Sequence, residues 1–246
     1  MGSLEKRLTS LKTMTPSRVR LEAEGGPYPL SRLMAFQEDH AAARDAIFRA
    51  PDWQSLETDP SMVTQRVKSR AQNRAVYLKR PDLGRRLAQG THLERTHPAL
   101  AIVIADGLSP PALSAHAAPL VHGLRAVCQI AKSAPIFLAE QARVAIGDEI
   151  GAMTGAELVL VLIGERPGLT VSDSLGAYLS WKPNIGTRDS SRNCVSNIHA
   201  NGGLSYAVAA ARLAWLISRA RDIETTGIGL KDNSPELSVI AGRTAL

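Results

Sequence analysis

Acidic and sulfur-containing side chains fall at or beside the ends of segments that read as buried strands. Asp106 and Glu165 each follow a continuous apolar run, and Cys194 lies near the start of the last strand candidate, residues 193–198. Val144 lies in the segment that leads into the intervening helix. Because open α/β sheets bind ligands in a crevice outside the carboxyl ends of their strands, a single crevice could collect all four residues.

The loop that contains Glu165 has the composition of a tight turn. Gly164, Pro167 and Gly168 hold Glu165 and Arg166 in a short connection directly after a buried strand. Surface loops are polar by default, so the Gly-Glu-Arg-Pro-Gly sequence alone fits a solvated loop as well as a binding loop.

The common catalytic and nucleotide-binding motifs are missing from the sequence. It contains no G-x-G-x-x-G after a strand, no P-loop, no H-E-x-x-H and no G-x-S-x-G. The six histidines are scattered and are interpreted as surface or boundary residues rather than metal ligands. No pair of nucleophile and base is evident, which favours a protein that binds or covers a large ligand over a self-sufficient catalyst.

Length and cysteine usage indicate a globular cytoplasmic protein. The 246 residues can bury a sizeable core without cross-links, and the two cysteines, Cys128 and Cys194, show no C-x-x-C spacing. No apolar stretch is long enough to span a membrane, and the amino terminus lacks the core of a signal peptide. The helical spacing around Cys128 predicts that this residue packs in the core.

The basic residues concentrate in one segment. The formal net charge is +6, and lysines and arginines cluster over residues 66–86. Aromatic residues are few and no nucleic-acid-binding motif accompanies the charge, so a surface for an acidic protein partner is favoured over nucleic acid.

Alternating strands and helices predict an α/β fold with a Rossmann-like, mostly parallel sheet flanked by helices and a helical N-terminal segment. Residues 1–30 are interpreted as an arm, 31–96 as a mainly helical region, and 97–246 as the α/β domain. Strands are expected at residues 75–78, 100–105, 135–138, 158–163, 179–181 and 193–198. Longer helices are expected at residues 33–48, 61–74, 110–131, 147–154 and 205–221, with shorter ones beginning at Pro81 and at Ser172.

Several of these segments together resemble the light (small) chain of ethanolamine ammonia-lyase. The similarity is carried by RPGLTVSDSLGAY, RNCVSNIH, the strand-end DGLS and LKRPDLGRR, which occur in the order of that family. It extends from about Tyr77 to the tail, over most of the chain.

The resemblance implies a subunit of an adenosylcobalamin-dependent (coenzyme B12) radical lyase. In that family the heavy (large) chain forms a TIM barrel that binds ethanolamine and carries the catalytic residues. The light chain covers the cobalamin at the shared interface of a hetero-oligomer, and cleavage of the cobalt–carbon bond starts the conversion of ethanolamine to acetaldehyde and ammonia. No catalytic residue and no separate metal site are implied for this chain.

The cobalamin contacts that the resemblance implies are Val144, Glu165 and Cys194. Glu165 can accept hydrogen bonds from the corrin amides or the nucleotide tail, and Val144 can offer main-chain groups and apolar area. Cys194 can pack against the cofactor as a small hydrophobe, and the alternative role for this residue is packing in the protein core. We expect the Cys194 thiol not to be redox active.

The amino terminus departs from the family pattern. Some family members have a longer leading segment associated with bacterial microcompartments, whereas only a brief arm is expected here, which argues against such packaging. The spacing of Leu4, Leu8 and Leu11 suggests a short helix or a contact with the heavy chain. Two other hypotheses remain: a standalone α/β protein that binds a phosphorylated metabolite near Glu165, and a nucleic-acid binder that uses residues 66–86.

Overall fold

The computed structural model describes residues 30–234. The N-terminal arm, the spacing of Leu4, Leu8 and Leu11, and the tail beyond residue 234 lie outside these residues. The helices are α1 (Leu30–Phe48), α2 (Trp53–Glu57), α3 (Arg74–Lys79), α4 (Pro110–Val127), α5 (Gln129–Lys132), α6 (Ile146–Thr154) and α7 (Tyr206–Ile223). The strands are β1 (Thr64–Lys68), β2 (Leu100–Ala105), β3 (Ile136–Glu140), β4 (Leu158–Gly164), β5 (Leu175–Trp181) and β6 (Arg192–Ile198).

The six strands form one mixed sheet in the order β1-β3-β2-β4-β5-β6. The first four strands in this order run parallel, while β5 is antiparallel to β4 and β6 is antiparallel to β5. The α/β class with flanking helices is confirmed, but the Rossmann-like parallel sheet is not, because β4 and β5 are joined without the helical crossover that a parallel pair requires.

The central strands β2 and β4 are buried along their whole length. Their alternate side chains form two apolar layers: Ile102 and Leu160 pack on the side of α4 and α7, whereas Val103 and Val161 pack on the side of α6. Burial on both faces explains why these strands read as continuous apolar runs.

The N-terminal half of the chain differs most from the sequence predictions. The expected helix at 61–74 is wrong, because its middle forms strand β1, which pairs with β3 more than sixty residues later. The expected strand at 75–78 is also wrong, because Asn73 accepts a hydrogen bond from the Val76 N–H and caps α3. Tyr77 anchors this helix in the interior, with no exposed surface.

Two further helix predictions from the sequence differ from the structure. The expected short helix at Ser172 is absent, since Leu175 begins strand β5 and pairs with Gly164. The expected helix at 110–131 is interrupted at Cys128, whose backbone is extended, although the thiol is buried in the core as predicted.

The helix at Pro81 is only the 3₁₀ turn Leu83–Arg85, and α1 includes Ser31 rather than beginning after it. Strands β2, β3, β4 and β6 and helices α6 and α7 lie where the sequence predicts them, within a few residues. Within residues 30–234, no helix combines the length and the apolar character needed to cross a membrane.

Candidate functional site

A cavity of about 640 Å³ opens at the carboxyl edge of the parallel strands. The loops that follow β2, β3 and β4 form its floor and one wall, and side chains of β5 and β6 form the opposite wall. The lining residues are Pro81, Arg85, Gly107, Leu108, Arg143, Val144, Ala145, Ile163, Gly164, Glu165, Arg166, Tyr178, Asp189, Arg192 and Cys194.

Two glycines allow the loops after β2 and β4 to approach closely. A Cβ atom at Gly107 would lie 2.2 Å from the carbonyl oxygen of Gly164, and a Cβ at Gly164 would lie 2.2 Å from the carbonyl oxygen of Ser109. The Leu108 N–H donates to the Gly164 carbonyl at 2.9 Å. Only glycine at these two positions leaves room for this contact, which fixes the floor of the cavity.

Val144, Glu165 and Cys194, which are far apart in the sequence, all line this cavity. Asp106 does not. Its buried carboxylate accepts hydrogen bonds from the Gln141 and Ala142 N–H groups at 3.0 and 2.9 Å, so it fixes the loop after β3. Burial raises the pKa of Asp106 to about 6, against the effect of these hydrogen bonds and of the Arg74 charge.

The Glu165 carboxylate is anchored through one oxygen. The Ser174 hydroxyl donates to Oε2 at 2.5 Å, and the Asn197 N–H donates to the same atom at 3.3 Å. Within the described part of the chain, no group donates a hydrogen bond to Oε1. Glu165 is therefore pre-oriented and retains an acceptor for a ligand.

Cys194 faces Tyr178 across the β5–β6 pair. The Cys194 side chain is exposed on the cavity wall, so the alternative that it packs in the core is wrong. The protein around Cys194 partly desolvates its thiol, which raises the pKa of the thiol. The hydrogen bond with Tyr178 lowers this pKa but only partly opposes the shift. A raised pKa favours the protonated thiol at neutral pH, and the low redox reactivity of Cys194 stays a prediction.

A buried ion pair that sequence reasoning missed joins two walls of the cavity. Arg192 donates to both oxygens of Asp148 at 2.7 and 2.8 Å, and the two side chains are 2% and 3% exposed. Asp148 is in the first turn of α6, four residues after Val144, and Arg192 precedes Cys194 by two residues. An acidic residue in the first turn of a helix is also explained by the helix dipole, so the sequence signal for the pair is limited to an arginine directly before a predicted strand.

Arg143, which lines the cavity, and Arg74, which does not, form a second charged cluster around Tyr77. Their guanidinium groups lie 4.6 and 4.9 Å from the centre of the Tyr77 ring. Arg74 is 3.3 Å from Asp106, whereas the buried Nε of Arg143 has no hydrogen-bond partner among the described residues. The buried Nη2 of Arg74 likewise has no hydrogen-bond partner among the described residues, and each unsatisfied buried donor costs about 1–3 kcal/mol.

Much of the basic segment 66–86 is neutralised within the chain. Carboxylates lie within 4.0 Å of Arg66, Lys68, Arg74, Arg80, Arg85 and Arg86. This pairing leaves less free charge for an acidic partner than composition suggests, and that partner surface stays a prediction.

The histidines are not all at the surface. His116 and His199 are each 3% exposed, contrary to expectation, and the His116 ring is 2.7 Å from the Tyr206 hydroxyl. Among residues 30–234, no three His, Cys, Asp or Glu side chains are grouped so that they could hold a metal ion.

Comparison with known proteins places nearly the whole described region in one family. A family model for the ethanolamine ammonia-lyase light chain matches residues 5–231. The ethanolamine ammonia-lyase small subunit of Bradyrhizobium diazoefficiens is 44% identical over an alignment of 237 positions, which covers 92% of this chain and 90% of that protein. The small subunit of Rhodopseudomonas palustris is 44% identical over 96% of this chain and 94% of its own length, and that of Ralstonia nicotianae is 41% identical over 95% and 91%. These matches include every element that lines the cavity.

Proposed function

We propose that this chain, which belongs to the ethanolamine ammonia-lyase light-chain family, binds adenosylcobalamin at an interface with the heavy chain of that enzyme. The assembled enzyme converts ethanolamine to acetaldehyde and ammonia, and the heavy chain carries the catalytic residues and the ethanolamine site. The observation that carries the proposal is that Val144, Glu165 and Cys194 line one cavity at the carboxyl edge of the sheet.

The size of the cavity supports a shared binding site. Cavities of about 300–1,000 Å³ hold drug-sized ligands, and this cavity of about 640 Å³ is too small to enclose a whole corrinoid. The chain therefore contacts part of the cofactor, and the rest lies against the partner. When bound, adenosylcobalamin supplies the radical chemistry, while the protein supplies binding, orientation and the exclusion of water.

The residues of this chain suit neutral amide groups, which are abundant on the corrin periphery. Glu165 Oε1 accepts a hydrogen bond from a corrin amide, while Ser174 and the Asn197 N–H hold the other carboxylate oxygen in place. The Val144 and Cys194 side chains give apolar contact beside it. Because Glu165 is held before the ligand arrives, little side-chain entropy is lost on binding.

Co-expression with the heavy chain tests this proposal. Adenosylcobalamin-dependent acetaldehyde release is measured for the heavy chain alone, for this chain alone and for the two together, and we expect turnover only when both chains are present. The standalone-binder hypothesis instead expects activity from this chain without a partner.

Two glutamates at opposite ends of β4 provide a matched pair of variants. Glu165→Ala removes a charged hydrogen-bond acceptor and should weaken cobalamin binding to the two-chain complex by about tenfold, as a loss of about 1.5 kcal/mol implies. Glu157→Ala, which breaks a contact with Arg221 away from the cavity, should leave binding unchanged. Equal affinities of the two variants would remove Glu165 from the site.

A further inference from the structure

Arg143 is a charged cavity residue without a carboxylate partner. Its buried Nε has no acceptor, and no carboxylate among residues 30–234 lies within 4.0 Å of its guanidinium group. The nearby Asp106 carboxylate is already occupied by Arg74 and by two backbone N–H groups. Stacking on Tyr77 holds the guanidinium group in place but provides no hydrogen-bond acceptor.

The other charges of the cavity leave a positive excess. Arg192 is matched by Asp148, and Arg85 lies 3.9 Å from Asp189. Arg143 and Arg166 then share the cavity with one remaining carboxylate, that of Glu165. A ligand bearing a single negative charge would balance this set.

The backbone beside Arg143 adds hydrogen-bond donors. Among the described residues, no group accepts a hydrogen bond from the N–H of Val144 or Ala145, both of which line the cavity at the N-terminus of the nine-residue helix α6. The two acids in the first turn of α6 are occupied elsewhere, Asp148 by Arg192 and Glu149 by Arg86 and the Leu87 N–H. A helix N-terminus with free N–H groups and a planar guanidinium group is a combination that binds phosphate oxygens.

We propose that Arg143, together with the Val144 and Ala145 N–H groups, binds the phosphodiester in the nucleotide loop of cobalamin. This inference rests on the proposed function. The corrin amides are neutral and the phosphodiester carries one negative charge, which matches the excess charge of the cavity. Arg143 is therefore the residue that distinguishes a complete cobalamin from a corrinoid without its nucleotide loop.

The test compares two corrinoids on the complex of this chain with the heavy chain. Equilibrium dialysis, read by corrin absorbance, gives dissociation constants for cyanocobalamin and for cobinamide, which keeps the corrin amides but lacks the phosphodiester. The variants are Arg143→Gln, Arg143→Lys and the control Arg80→Gln, which removes an exposed arginine that pairs with Asp82 outside the cavity.

We expect Arg143→Gln to weaken cyanocobalamin binding by about thirtyfold and to change cobinamide binding by less than about threefold, since charged hydrogen bonds account for such factors. Arg143→Lys should recover part of the loss, and Arg80→Gln should bind both corrinoids like the wild type. An equal loss for both corrinoids, or no loss for either, would overturn the subsite while leaving the proposed function intact. Failure of the wild-type complex to bind either corrinoid would overturn both.

Discussion

Replacing Asp148 with asparagine should destabilise the protein strongly, because it breaks the buried ion pair that joins α6 to β6. Arg192 would keep its hydrogen bonds to the Ser180 hydroxyl and the Thr187 carbonyl, but its charge would have no buried counter-ion. Removal of one partner from such a pair costs about 3–5 kcal/mol. Asparagine retains one acceptor oxygen and Asp189 remains 3.4 Å from Arg192, so the low end, about 3 kcal/mol, is expected here.

Asp189→Asn is the matched control, because both carboxylates contact the same arginine. The Asp189 side chain is 74% exposed, whereas that of Asp148 is 3% exposed. Loss of an exposed ion pair costs less than about 1 kcal/mol. The two variants therefore separate the effect of burial from the effect of the charge itself.

Thermal unfolding followed by circular dichroism measures both effects. At about 2–4 °C per kcal/mol for a chain of this size, Asp148→Asn should lower Tm by about 6–12 °C. Asp189→Asn should lower it by less than about 4 °C. Similar Tm values for the two variants, or an Asp148→Asn protein as stable as the wild type, would contradict the role assigned to the buried pair.

Three further predictions concern the floor and walls of the cavity. The pKa of Asp106, about 6 when folded, lies above its unfolded value near 3.8, so its stabilising contribution is complete below about pH 4 and is lost as pH rises through 6. In urea unfolding, the stability advantage of wild type over Asp106→Asn should therefore shrink by up to about 3 kcal/mol between pH 4 and 7, and a constant difference would contradict this shift. Gly164→Ala should lower the free energy of unfolding by about 3 kcal/mol, because its methyl group would lie 2.2 Å from the Ser109 carbonyl oxygen. Gly168→Ala, whose methyl group would have its nearest atom at 3.3 Å, should lower it by less than about 1 kcal/mol. Equal losses for the two variants would refute the close approach of the loops. Iodoacetamide should alkylate Cys194 more slowly at pH 7 than it alkylates free cysteine, and rapid selective labelling would show a reactive thiolate.

The sequence predicts the elements whose signals are local. The apolar runs of β2 and β4 are long and bounded by polar residues, and both strands lie where they were expected. Helix α6 ends at Gly155, whose φ of 71° is the left-handed conformation expected of a helix-ending glycine. Such features depend on neighbours within a few residues, so one sequence suffices to identify them.

The errors occur where pairing is distant or antiparallel. Strand β1 is an edge strand of five residues, of which only Val67 is buried. Its basic residues would suit the exposed face of a helix equally well, and only the pairing with β3 identifies the segment as a strand. By contrast, the start of α3 has a local sequence signal, because Asn73 is a favourable helix-capping residue. Ser172 and Ser174 are good capping residues, but in the folded chain the Ser172 carbonyl accepts a hydrogen bond from the Ser109 hydroxyl, and the Ser174 hydroxyl donates to Glu165.

The candidate site was predicted in its location but not in its supporting contacts. Strand-end reasoning expected Val144, Glu165 and Cys194 in one crevice, and all three line the same cavity, although Cys194 lies near the start of β6 rather than at the end of a parallel strand. It included Asp106 wrongly, since sequence cannot show that this side chain turns inward. The partner of Arg192 lies 44 residues away, and such a pair cannot be deduced from one sequence.

A structure of the two-chain complex with cyanocobalamin tests the central claim most directly. We expect the corrin to lie over the cavity, with an amide on Glu165 Oε1, apolar contacts to Val144 and Cys194, and the phosphodiester at Arg143. A corrinoid bound away from this cavity, or a cavity filled by a heavy-chain segment, would contradict the account.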